Sequence, residues 1–134
     1  FLPYQRPPLS KTYLLDKINL EILFLKQENY YRENNIDLRL GTKVTSIDRN
    51  KKSVLLGSEK ISYDILILAT GAKPNELPRR ITSGVENIFS IRNIHDVNQL
   101  KKKFSEAGVV LIIGGGYIGL EAAAVCAEKG LKEK

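Results

Sequence analysis

The chain has 134 residues, 43% of them apolar, enough for a buried core and too apolar for a disordered segment. Its net charge is +6, yet the basic residues are scattered and no aromatics alternate with them as in a single-strand binding groove, so nucleic acid is not the expected partner. The longest apolar runs are far too short to span a membrane.

In chain order, the N-terminal segment shows no signal peptide, and a cytoplasmic location is expected. Phe1 is not a natural start and methionine is absent throughout, which points to a piece of something longer. Pro3, Pro7 and Pro8 make residues 1–9 a rigid extended loop, because proline fixes φ and removes a donor. Ser10 is placed to cap a short helix starting near Lys11. The pattern Leu23, Leu25, Tyr30, Tyr31 predicts one helix from about Leu20 to Asn34. Short runs then follow at close spacing: Ile36–Leu40, Val44–Ile47, Val54–Leu56 and Lys60–Tyr63. Asp48–Lys51 and Gly57-Ser58 supply turns, so the block reads as an antiparallel meander.

Ile65-Leu66-Ile67-Leu68-Ala69 is continuously apolar, as in a strand buried on both faces. Residues 74–84 are linker-like. Asn93 is placed to cap a helix running to about Ala107, with Val97 and Leu100 inward and Lys101, Lys102 and Lys103 on a solvated face. His95, the single histidine, has no cluster of ligating residues at metal-binding spacing, and no metal site is expected. Gly108 ends the helix. Val109–Ile113 is a second fully apolar strand, running into Gly114-Gly115-Gly116-Tyr117-Ile118-Gly119 and then a helix from about Tyr117 to Lys129, closed by Gly130. Cys126, the single cysteine, excludes an internal disulfide or CxxC pair and reads as a small buried residue of that helix.

Gly114, Gly116 and Gly119 stand at the positions of a GxGxxG fingerprint, in the strand-to-helix context that makes such a pattern informative. The first glycine permits a tight turn, the second lets backbone approach a diphosphate, and the third allows close helix–strand packing. Free amides and the positive helix end then favour the anion. The carboxylate that a dinucleotide fold places about 20 residues on, for the ribose hydroxyls, is not recognisable. Glu133 has nearly the right spacing, but only Leu131 and Lys132 separate it from Gly130, so no second strand is expected and Glu133 reads as a charged terminus.

Three segments together resemble one family. Leu2-Pro3-Tyr4 with Arg6-Pro7-Pro8-Leu9-Ser10-Lys11, the Ala69-Thr70-Gly71 motif, and Gly114 to Glu121 resemble the ferredoxin, rubredoxin and putidaredoxin reductases and apoptosis-inducing factor, FAD-dependent pyridine nucleotide oxidoreductases. The resemblance spans almost the whole chain, and the RPPLSK loop is its discriminating part. It implies an α/β fold: a partial, incomplete Rossmann-like (three-layer ββα) FAD/NAD(P)-binding domain with a meander. Residues 1–91 would belong to the FAD-binding domain and 92–134 to the start of the NAD(P)H-binding domain, its first βα unit only.

The resemblance also implies roles. Arg6 and Arg92 would contact FAD, Lys11 would lie beside the isoalloxazine and pair with Glu121, and Val44 would meet the adenine through its backbone. Ala69, Thr70 and Gly71 would pass close to the FAD, and Gly114 to Gly119, with Gly115, Gly116, Tyr117 and Ile118 foremost, would face NAD(P)H. The implied reaction passes hydride from NAD(P)H to FAD, then single electrons to a ferredoxin- or rubredoxin-type protein. The FAD domain's own glycine fingerprint and its Gly-Asp motif are missing, so the 134-residue chain alone is expected to bind FAD weakly or not at all and to lack turnover. The rival readings are an NADH oxidase or nitrite-reductase-type flavin domain, a signalling flavoprotein like apoptosis-inducing factor with a basic surface for DNA, and a product without activity of its own.

Overall fold

The computed structural model describes residues 1–134, apart from the side chain of Glu133, so the reading of that residue as a charged terminus lies outside the described residues. The chain divides into two compact units, Phe1–Leu2 with Gln27–Ala72, and Pro3–Lys26 with Lys73–Lys134.

The first unit holds a short helix, α2 (Glu28–Glu33), and the meander β1 (Ser46–Asp48), β2 (Ser53–Leu56) and β3 (Glu59–Ser62), paired antiparallel in that order. Ile47 faces Val54, and Val54 faces Ile61, so one apolar row crosses all three strands. The first connection is pinned by the Lys51 amide donating to Asp48 Oδ1 at 2.9 Å.

Two expected strands of this unit are absent. Ile36–Leu40 is irregular, and its Arg39 is held by ion pairs to Asp37 at 2.8 Å and to Glu59 at 2.6 Å rather than by a backbone ladder. Residues 65–69 form no strand either, and Ile65 and Ile67 are 84% and 83% exposed. A run that is apolar on both faces becomes a buried strand only with a neighbour on each side. Among the described residues no strand pairs with it.

The second unit contains the core: Leu9, Tyr13, Leu14, Leu23, Ile94, Val97, Phe104, Val125 and Cys126. A 3₁₀ helix, Pro7–Ser10, opens it, followed by turns and α1 (Leu20–Leu23). The predicted Leu20–Asn34 helix is thus two short ones. Phe24 is extended (ψ 133°) and bridges Tyr4, while Gln5 donates to the Leu23 carbonyl and Leu25 to that of Pro3. The backbone groups that would carry the helix onward are spent on residues 3–5. Ser10 does not cap a helix either, being the last residue of the 3₁₀ turn and buried.

After α3 (Arg79–Thr82) comes α4 (Ile94–Phe104), whose start is fixed by a capping box between Asn93 and Asp96. Ile94 and Val97 are fully buried, and Leu100 packs beside them. Lys101 departs from the solvated-face reading, because it reaches an aspartate described below.

β4 is Val109–Val110, shorter than the predicted Val109–Ile113, and α5 is Tyr117–Glu128. Leu111 and Ile113 lie outside β4 and are 68% and 65% exposed. The expectation of no strand after Gly130 is corrected. β5 (Lys132–Glu133) pairs in parallel with β4, and the Ile112 and Lys134 backbones extend the ladder at 3.0 Å. Gly130 adopts φ 72°, the left-handed conformation that lets the chain leave α5 sharply enough for so short a return. A β–α–β crossover results, built on the minimum of residues.

Candidate dinucleotide turn and ion pair

The turn between β4 and α5 has the stereochemistry its glycines predict. Gly114 sits at φ 121°, where a side chain is strained. A Cβ on Gly119 would lie 2.1 Å from the Gly114 carbonyl oxygen, so the helix approaches the turn as closely as only glycine allows. Around Gly115 and Gly116, in contrast, a Cβ would meet nothing within 4 Å, and residues 114–118 are exposed. Gly116 is the N-cap of α5 and supplies no side-chain cap, leaving first-turn amides to an outside acceptor. An open backbone cradle at the positive end of a 12-residue helix fits a dinucleotide diphosphate.

Two residues after Gly119, Glu121 receives both members of the Ser10-Lys11 pair. Lys11 Nζ lies 2.7 Å from Glu121 Oε1, and Ser10 Oγ donates to Oε2. The pair is partly open to solvent, with side chains 48% and 28% exposed for Lys11 and Glu121. The hydrogen bond from Lys11, then that from Ser10, holds the Glu121 carboxyl below its ordinary value despite partial desolvation.

Arg6 is exposed and caps the 3₁₀ helix through its carbonyl, which accepts from Leu9 at 2.9 Å. Arg92 is half-buried just ahead of α4. Val44, Ala69, Thr70 and Gly71 belong to the other compact unit, all exposed, with Gly71 at φ 69°. Lys11, Glu121 and the glycine turn are therefore gathered in one unit. Within the second unit, the solvent-facing Lys11 ammonium anchored by Glu121 fits the electron-rich edge of a flavin nucleotide.

Sequence reasoning missed two residues. Ser10 has the local signature of a cap, and its link to Glu121 crosses 111 positions, which no local pattern reveals. Asp16, in the left-handed region at φ 62°, binds Lys101 of α4 at 2.7 Å and Lys129 at the end of α5 at 3.2 Å. Lys101 also stacks 3.9 Å above the Tyr13 ring, whose hydroxyl donates to Asn98. This hub fastens the proline loop to both helices and so fixes where Lys11 stands. Its Asp16 carboxyl is likewise lowered, chiefly by the Lys101 hydrogen bond.

Both carboxylates have depressed folded-state pKa values, so each adds stability above its ordinary value and loses it as pH falls through the folded one. The ordinary values are 3.8 and 4.5, which places the loss on the acid side of about pH 4.5. Urea unfolding between pH 3 and 7 is expected to show that acid limb, and Glu121→Gln to flatten it. An unchanged limb in the variant would remove Glu121 from the account.

Residues 2–133 match the family described as pyridine nucleotide-disulphide oxidoreductase, and the chain belongs to that family, whose members are FAD-containing and NAD(P)H-dependent. It is 39% identical over 128 residues to putidaredoxin reductase of Pseudomonas putida, covering 92% of this chain and 30% of that protein. Rubredoxin-NAD(+) reductase of the same organism is 41% identical over 125 residues, with 90% and 31% covered. The crystal structure of a covalent putidaredoxin reductase–putidaredoxin complex superposes with a TM-score of 0.90 at 36% identity, over 99% of this chain and 33% of that one. The chain thus spans about three-tenths of the curated relatives it matches, and its fold is that of an FAD/NAD-binding reductase domain carrying a three-stranded antiparallel sheet. Among the described residues no helix is long and apolar enough to cross a membrane.

Proposed function

We propose that this chain is part of an NAD(P)H-dependent flavoprotein that passes hydride to FAD and single electrons onward to a ferredoxin- or rubredoxin-type iron–sulfur protein. The observation that carries the reading is the 2.7 Å ion pair joining Lys11 of the proline loop to Glu121, on the very helix that the glycine turn opens. Nicotinamide turn and flavin-side cation thereby share one compact unit. In the proposed division of labour, 1–91 belongs to the FAD-binding domain and 92–134 to the NAD(P)H-binding domain.

FAD, when bound, supplies the two-electron acceptance and one-electron release that no side chain offers. The chain's own residues bind and orient. Amides of Gly115 to Ile118 receive the diphosphate, and Gly119 keeps the helix close enough for them to reach it. Lys11 holds a positive charge at Nζ, and Glu121 keeps that ammonium in place. Arg6 and Arg92, with Val44 and Ala69, Thr70 and Gly71, would contact the flavin nucleotide.

The reading is tested in the flavin-loaded protein that contains this chain, under anaerobic NADH, with a ferredoxin and a rubredoxin offered in turn. Stoichiometric reduction of either protein is the expected result. Neither protein reduced there, with oxygen consumed once air is admitted, would instead assign an oxidase.

A further inference from the structure

Ser10 and Lys11 are consecutive, yet they serve different oxygens of one carboxylate, Ser10 Oγ donating to Glu121 Oε2 and Lys11 Nζ standing 2.7 Å from Oε1. Their environments differ. Ser10 is 4% exposed, whereas the Lys11 side chain is 48% exposed. A solvent-facing ion pair holds a long lysine loosely, since water competes and both partners keep rotamer freedom. A buried hydroxyl on the second oxygen changes that, because the carboxylate can no longer turn about its terminal bond.

The serine is itself held firmly. It ends a 3₁₀ turn begun by two prolines, and the Pro8 carbonyl accepts from both Lys11 and Tyr13 at 3.0 Å. Leu9 beside it is buried in the core. An ionised carboxylate only accepts, so the Ser10 hydrogen must point to Glu121.

We infer that Ser10 is a positioning residue: its buried hydroxyl fixes the Glu121 carboxylate in orientation and charge, and so fixes where Lys11 Nζ stands. What Lys11 then does rests on the proposed function, whereas the clamp does not. Among the described residues, Lys11 is the charged group that acts on Glu121. Charges at the far end of α5 are engaged elsewhere, Glu128 with Lys17 and Lys129 with Asp16. Protonating Glu121 removes an acceptor shared by one motif, and both grips weaken together.

The test is a carbon-detected NMR pH titration of the 134-residue chain. In the unmodified chain the Ser10 Cβ signal is expected to move with the midpoint of the Glu121 carboxyl, as is Lys11 Cε. In Ser10→Ala that midpoint should rise toward an ordinary carboxylate, by less than in Lys11→Met, and Ser10→Thr should restore it. A Ser10 signal silent at the Glu121 midpoint overturns the inference, and so does a Ser10→Ala midpoint equal to the parent's. The first readout needs no variant, so misfolding of Ser10→Ala does not spare the idea. No flavin is involved, so an absent iron–sulfur reductase activity would sink the proposed function and leave the clamp standing.

Discussion

Gly119→Ala should destabilise the chain by about 1–3 kcal/mol in urea unfolding, the usual cost of forcing a methyl into a packed site. The added carbon would stand 2.1 Å from the Gly114 carbonyl oxygen, and backbone, unlike a flexible side chain, cannot swing aside. Either α5 moves off the turn or the turn itself opens, and both displace the amides at 115–118. Nicotinamide nucleotide binding should therefore fall together with stability. Gly116→Ala is the informative contrast. Nothing lies within 4 Å of its new methyl, and φ −77° suits alanine, so the loss of stability should stay under about 1 kcal/mol. The methyl would, however, occupy the face where a diphosphate must approach. Binding should fall while folding is nearly untouched. Equal binding in Gly116→Ala and the parent would mean that the open turn is only a turn.

Lys11→Met, in the flavin-loaded protein, should slow flavin reduction by NADH on the order of 10²-fold, the scale seen when one preorganised electrostatic partner is removed. The glycine turn is intact in that variant, so the apparent affinity for NADH should hardly change. Lys11→Arg keeps the charge but not its shape and should recover only part of the rate. Glu121→Gln leaves Lys11 cationic but unanchored, and a smaller loss, nearer tenfold, is expected because the ammonium still visits its place. Stopped-flow absorbance of the flavin reads all three. A Lys11→Met rate within twofold of the parent would take this lysine out of the chemistry.

How much of this the sequence disclosed follows from the range of each interaction. The Asn93 cap, the helix-closing Gly130 and the Gly114–Gly119 turn are local, and all three are recognisable from residue type and spacing. The last three strands of the meander are local too, whereas its first, Ile36–Leu40, did not form. The failures lie where the outcome depends on partners distant in the chain. The helix read across Leu20–Asn34 breaks because Phe24 finds Tyr4, some 20 residues earlier, and the apolar run at 65–69 stays out of a sheet for want of neighbours. β5 escaped notice since Lys132-Glu133 carries no strand propensity, its pairing being set by the geometry of the crossover. Ser10 and Asp16 were silent for the same reason, each meeting partners 85 or more positions away. The resemblance named Lys11 and Glu121 together, while the share of Ser10 in holding Glu121 needed coordinates.

The most direct measurement is an amide NMR map of the labelled 134-residue chain as NADH is added to millimolar concentration. If amides at the foot of α5 grip the dinucleotide beside the lysine, signals of Gly115 to Ile118 should move first and most, with Lys11 and Glu121 following. Shifts confined to residues 27–72, with 114–121 still, would contradict it.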